Sequence, residues 1–206
     1  MAYKRPPITM KKFILFSLLL LTSINCLAQK DELGYYSFSK KTDKGLVKFI
    51  ATPSSYVSLD KRTGLSEPYV PMSMNYMAIE SDGKDVKEQY TLNFTLISSY
   101  VEYNISDGGR LLLKYKDGET LTLATNKAFN SEYSDGNYYV SPEYVITKDQ
   151  IDSILNKGVV KLRFEIQLTN IDVEPLSDNF MIHFRDKVNG IEERKKKKQD
   201  TFSSDF

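Results

Sequence analysis

The chain carries one histidine, His183, and one cysteine, Cys26. Any catalytic dyad or triad built on imidazole would have to use His183, and a metal site with two histidines cannot be assembled. His183 falls on the flank of an amphipathic helical stretch, the ordinary place for a partly exposed boundary residue. No serine stands in a Gly-x-Ser-x-Gly elbow. Carboxylates alone can hydrolyse glycosides, and acids near turns include Asp82, Asp85, Asp107, Asp117, Glu119, Glu132, Asp135 and Glu143. That chemistry needs two of them across a cleft at roughly 5–10 Å, whereas turn acids usually serve as solvated turn formers. The runs Asp82-Gly83-Lys84-Asp85 and Ser134-Asp135-Gly136-Asn137 lack the alternating ligands and closing glutamate of a calcium loop, so both read as turns. The sequence therefore names no catalytic residue, no metal ligand and no cofactor.

Binding chemistry is better represented. Between Tyr133 and Tyr144 the chain mixes rings with hydrogen-bonding groups, and the candidate contact residues are Tyr133, Asp135, Asn137, Tyr138, Tyr139 and Tyr144. Tyrosine offers flat area at low entropic cost, which suits a sugar, peptide or protein surface. The competing reading is structural tyrosine on a β surface. The basic run from Arg194 to Lys198 reads as a solvated helix end.

Where these residues work is set by the N-terminal segment. Lys11 and Lys12 precede an apolar run from Phe13 to Leu21 broken only by Ser17, and a more polar stretch ending Cys26-Leu27-Ala28 follows. This is the order of a cleavable signal peptide, with cleavage expected after Ala28 and translation expected to start at Met10. Phe13 to Ile24 is short of the ~20 apolar residues that span a bilayer. Cleavage would remove Cys26 and leave 24 basic against 27 acidic residues, a formal charge of −3 that does not suggest nucleic acid as partner. A lipoprotein anchored through Cys26 is the alternative, although Ser23 and Asn25 fit that pattern poorly. The expected compartment is the periplasm or the exterior.

The elements that must hold the candidate residues are mostly strands. Met72, Met74, Tyr76 and Ala78 alternate with polar or smaller neighbours, as do Tyr90, Leu92, Phe94 and Leu96, and Val160, Leu162, Phe164, Ile166 and Leu168. Tyr35 to Phe38, Leu46 to Ala51 and Tyr138 to Val145 are further strands. Arg110 to Ala124 forms a hairpin whose register follows from its residues: a three-residue loop with left-handed Gly118 pairs Tyr115 with Glu119, Leu113 with Leu121 and Leu111 with Leu123. A helix opens at Thr147, with Gln150 completing a capping box and Ile146 and Ile151 a hydrophobic staple, and closes at Gly158. A second helix, capped at Ser177 with Leu176 and Met181 as staple, presents Phe180, Phe184, Val188 and Ile191. The expected fold is α+β, mainly β: an antiparallel sheet or sandwich with two helices packed on it. Residues 29–192 form one domain, and 193–206 are expected to be a disordered basic tail.

The strand Leu111-Leu112-Leu113-Lys114, its Lys-Asp-Gly turn, Tyr139-Val140-Ser141, the capped helix and Gly158-Val159-Val160-Lys161-Leu162-Arg163 together resemble small exported proteins of Bacteroidetes. The resemblance covers about residues 90–190 and includes no catalytic motif. It implies a Gram-negative envelope or secreted setting and assigns no functional residue. The function expected is a non-enzymatic module that binds a protein, glycan or lipid of the envelope. A carboxylate-based hydrolase of an envelope glycan and a lipid-binding periplasmic domain stand as alternatives.

Overall fold

A computed structural model describes residues 29–30, 33–42, 45–58, 70–81, 85–167, 169–174 and 178–196. The signal segment with Cys26, the turn acid Asp82, and Leu168, Leu176 and Ser177 lie outside these residues.

The largest sheet is antiparallel throughout. Its strands, numbered in chain order, run β1 (Gln29–Lys30), β2 (Tyr36–Thr42), β3 (Gly45–Ala51), β5 (Val70–Ser81), β6 (Asp85–Phe94) and β12 (Glu143–Ile146), and β4 (Ser55–Ser58) joins the start of β5. Alternation works as the sequence predicts: Met72, Met74, Tyr76 and Ala78 are buried with Tyr90, Leu92 and Phe94 beside them. The edge beside β5 is interrupted at Pro53, which has no N–H to give to a ladder. Thr52 closes the gap, since its N–H donates to Met74 O at 3.0 Å and its Oγ1 accepts from the Met74 N–H at 2.8 Å.

A second sheet has the order β14 (Asn170–Val173), β13 (Val159–Glu165), β8 (Arg110–Tyr115) and β9 (Thr120–Ala124). The β8–β9 hairpin takes the expected register, with Leu111 opposite Leu123, Leu113 opposite Leu121 and Gly118 at φ 93°. The expected alternation of β13 fails at its ends. A bulge between Val159 and Lys161 buries Val159 and leaves Val160 42% exposed, and the strand stops at Glu165, where Ile166 N–H to Thr169 O begins the turn into β14. Phe94 meets the two layers: its ring lies 5.2 Å from Phe164 on β13 and 6.4 Å from Tyr144 on β12.

A third, small sheet is an extension of the first. Strand β7 (Leu96–Ser98) continues β6 after Thr95, and β11 (Asn137–Val140) leads into β12 across Ser141 and Pro142. The two breaks lie side by side: Phe94 N–H donates to Pro142 O at 3.2 Å, and the Thr95 and Ser141 hydroxyls are 3.1 Å apart. The single strands expected at Tyr90 to Leu96 and at Tyr138 to Val145 are therefore each two strands, bent at one corner. Beyond it, β10 (Glu132–Ser134) pairs with β11, and β11 with β7.

Helix α1 (Lys148–Lys157) carries the expected capping box: Gln150 N–H to Thr147 Oγ1 is 3.2 Å and Thr147 N–H to Gln150 Oε1 is 2.9 Å. Ile146 and Ile151 are buried beside it, and Gly158 at φ 70° ends it. Helix α2 (Asn179–Lys196) buries Phe180, Phe184, Val188 and Ile191 and packs against β3, β4 and β5. Its start is joined to the second sheet where Val159 N–H meets Met181 Sδ at 3.2 Å. The fold is thus α+β and mainly β, antiparallel sheets with two helices packed on them. One boundary needs correction: 193–196, expected in the disordered tail, form the last turn of α2. Arg194 lies 3.5 Å over the Tyr35 ring and donates to Gly190 O at 2.9 Å, so those residues are anchored by packing.

Candidate functional site

The β10–β11 hairpin carries five of the six candidate contact residues. Its turn is a two-residue one: Ser134 pairs with Asn137, and Asp135 and Gly136 both have positive φ, 48° and 81°. Aspartate tolerates that conformation better than most residues, and glycine adopts it freely. The Asn137 side chain accepts from Ser99 Oγ at 2.7 Å, which ties the hairpin tip to the turn after β7. Ser98 Oγ holds that turn by accepting from the Tyr100 and Val101 amides at 3.3 and 3.0 Å. The start of β10 is fixed as well, since Ser131 N–H donates to Asn104 Oδ1 at 2.9 Å and Ser131 Oγ to Tyr103 O at 2.6 Å.

Register distributes the candidates over two faces. Tyr133 and Tyr138 are directly opposed, with ring centroids 5.0 Å apart, and Tyr138 is opposite Ser98. Tyr139 is opposite Glu132 on one side and Ile97 on the other, on the reverse face of the sheet, and Asp135 sits at the tip. Tyr133 is 66% exposed, and Tyr100 on the adjoining turn is 73% exposed. Tyr100 belongs to this aromatic end of the molecule although the sequence reading did not include it. Its only sequence signal is a ring directly after two serines, Ser98 and Ser99, that stop a strand.

Tyr144 does not belong to the surface. It is fully buried against Phe94 in the core, its hydroxyl has no hydrogen-bond partner, and burial pushes its phenol above the ordinary range. The corner at Ser141 and Pro142 is the cause. It carries the chain from the small outer sheet into the large one, so tyrosines five or six residues apart end in different environments.

The acids of the sequence reading are spread over separate turns and strands. Asp117 and Glu119 share one partner, Lys157, at the β8–β9 turn, and Glu143 pairs with Lys127 at 3.5 Å. Glu132 and Asp135 are exposed on the hairpin and Asp107 on the turn before β8. Among the described residues no group of three or more His, Cys, Asp and Glu is placed to hold a metal ion. His183 is half-buried on α2, and burial, followed by the neighbouring Lys187 charge, lowers its pKa.

No family model, curated protein or solved structure matches the chain.

Two arrangements escaped the sequence reading. The outer face of the second sheet holds a shallow depression of about 230 Å³ lined by Leu112, Lys114, Thr120, Lys161 and Arg163. Their positions alternate along β8, β9 and β13, but only the pairing order of the strands brings them together. The other is a cation between rings: Lys195 Nζ lies 4.6 Å from the Tyr76 centroid and 5.4 Å from that of Tyr90, donates to Tyr90 Oη at 2.8 Å, and pairs with Glu88 and Glu192. Tyr76 Oη donates to Glu88 Oε1 and Tyr90 Oη to Glu192 Oε1. Burial and then the bond to Glu88 raise the Tyr76 phenol. This network is satisfied internally and fastens the end of α2 to β5 and β6.

Proposed function

We propose that the chain is an exported, non-enzymatic binding module of the cell envelope, and that its contact surface is the aromatic end formed by Tyr133, Tyr138 and Tyr100. The observation that carries this reading is the Tyr133–Tyr138 ring pair: two directly opposed rings at 5.0 Å on a hairpin pinned at its tip and at its start. Rings already held in place lose little freedom when they receive a flat partner, which favours contact with a sugar ring or a peptide plane. Asp135 adds an exposed carboxylate at the tip, while Asn137, on the Tyr139 face, is spent on Ser99 and the Asp135 carbonyl and serves to hold the tip. Tyr139 stands on the reverse face and serves the sheet.

The test is a titration of the purified protein with envelope polysaccharides and peptidoglycan fragments, followed by tyrosine fluorescence and by NMR shifts. Saturable binding that falls at least tenfold in both Tyr133→Ala and Tyr138→Ala supports the reading. Binding unchanged in both variants removes the hairpin from it, and turnover of the glycan replaces it with a hydrolase. Export is tested by the mass of the mature N-terminus: Gln29 as first residue supports cleavage after Ala28, and a lipid-modified Cys26 supports anchoring.

A further inference from the structure

The outer face of the second sheet has an ordered charge pattern. Reading across β9, β8, β13 and β14, one row is Thr122, Leu112, Arg163 and Asp172, and the row beside it is Thr120, Lys114 and Lys161, with Glu174 just past the end of β14. Arg163 is held in a bidentate pair by Asp172 at 2.6 and 2.8 Å, and Lys161 also reaches Asp172 at 2.8 Å and Glu174 at 3.6 Å. Hydrogen bonds from Arg163 and Lys161 hold the Asp172 carboxyl far below the usual carboxylate range. The acids of these two rows thus lie at the β14 side, while Glu165, further along β13 on the same face, is taken up by Arg110 of β8.

Lys114 is different. It is exposed, it has no ion pair among the described residues, and the residue directly opposite it is another cation, Lys161. Like charges directly opposed across a ladder work against pairing, and this sheet keeps them beside the depression. Leu112 gives that depression a half-buried apolar floor, and the Thr120 and Thr122 hydroxyls flank it from β9. An apolar patch edged by hydroxyls and an unneutralised cation is the chemistry that receives a sugar ring bearing an acid group.

We infer that this depression binds an acidic saccharide unit, with the ring over Leu112 and its carboxylate or phosphate between Lys114 and Lys161. The site is separate from the Tyr133 hairpin and does not depend on it. At about 230 Å³ it has room for a small terminal or side-branch unit, not an extended ligand.

The experiment titrates the full chain with an oligogalacturonate, a neutral oligosaccharide of the same length, and inorganic phosphate, at two salt concentrations, with amide and lysine NMR shifts as readout. Expected are shifts at Lys114, Lys161 and Leu112 with the acidic oligomer, at least fivefold weaker binding in Lys114→Gln, and unchanged binding in Lys127→Gln, which removes a charge elsewhere. A urea midpoint of Lys114→Gln no lower than wild type separates lost binding from lost fold. Equal loss in both lysine variants reveals nonspecific charge attraction and overturns the inference. So does equal binding of the neutral oligomer. Equal affinity for phosphate and the acidic oligomer assigns a free small anion and overturns the saccharide.

Discussion

The ammonium of Lys187 on α2 donates to the backbone carbonyl of Pro53 at 2.6 Å and to Ser55 Oγ at 3.0 Å, in a setting where the residue is 2% exposed. The lysine thereby covers the break between β3 and β4 that Pro53 creates. It forms no ion pair among the described residues; Asp186 favours its charge only from a distance. Burial is the larger effect and brings its pKa down from 10.5 to about 8.

The sign of the resulting pH dependence is fixed. Below pH 8 both the folded and unfolded chains hold the proton, and the full burial cost, on the order of 3 kcal/mol, counts against the fold. Between about pH 8 and 10.5 the folded chain releases the proton first, so stability contributed by this group rises. In Lys187→Met that rise disappears. Urea midpoints of wild type minus variant at pH 7, 9 and 10 should climb, a subtraction that cancels the titration of the tyrosines. A flat difference would show that the ammonium is not desolvated as described.

Tyr144 is a core residue with an unpartnered hydroxyl. Tyr144→Phe should be neutral or stabilising by up to about 1 kcal/mol, because it removes a buried polar group that gains no bond. Tyr144→Ala should cost about 3–5 kcal/mol through the cavity it leaves. Ligand binding by Tyr144→Phe should equal wild type, and weakened binding would return this residue to the contact surface.

Gly190 is required by Tyr35. A Cβ at position 190 would overlap the Tyr35 hydroxyl oxygen, and the ring cannot swing away freely because Arg194 covers it and its hydroxyl donates to Asp186 O. Gly190→Ala should destabilise by about 1–3 kcal/mol despite its better helix propensity. Adding Tyr35→Ala should cost less in that background than in wild type, and strict additivity in chemical denaturation would exclude the clash.

Thr147→Ala should cost about 1 kcal/mol, within the range for a lost cap. Gln150→Ala, which removes the reciprocal bond, should cost less. Thermal melts of both variants check the order.

Local chemistry was legible in the sequence wherever neighbouring residues settle the outcome. Gly118 and its flanking leucines fixed the hairpin register, Thr147 and Gln150 the start of α1, and the spacing of Phe180, Phe184, Val188 and Ile191 the buried stripe of α2. Reading failed where the answer depends on a distant strand. Val160 has the right spacing for the core, but the bulge that turns it outward exists only against β8. Tyr144 and Tyr138 look alike in sequence and are divided by a corner made jointly with Thr95 and Pro71, whose carbonyl accepts the Thr95 N–H at 3.0 Å. Lys195 stands in a basic run that composition marks as solvated, yet its partners Tyr76, Tyr90 and Glu88 lie more than a hundred residues earlier.

That corner has a further consequence for how the chain can vary. Because β6–β7 and β11–β12 bend at the same level and stay in register on both sides of the bend, a residue inserted at Thr95 would slide one half of the ribbon against its partner. Only a matching insertion near Ser141 and Pro142 would restore it. Length changes at these two places should therefore occur together or not at all, while the Asp135-Gly136 tip is free to lengthen alone.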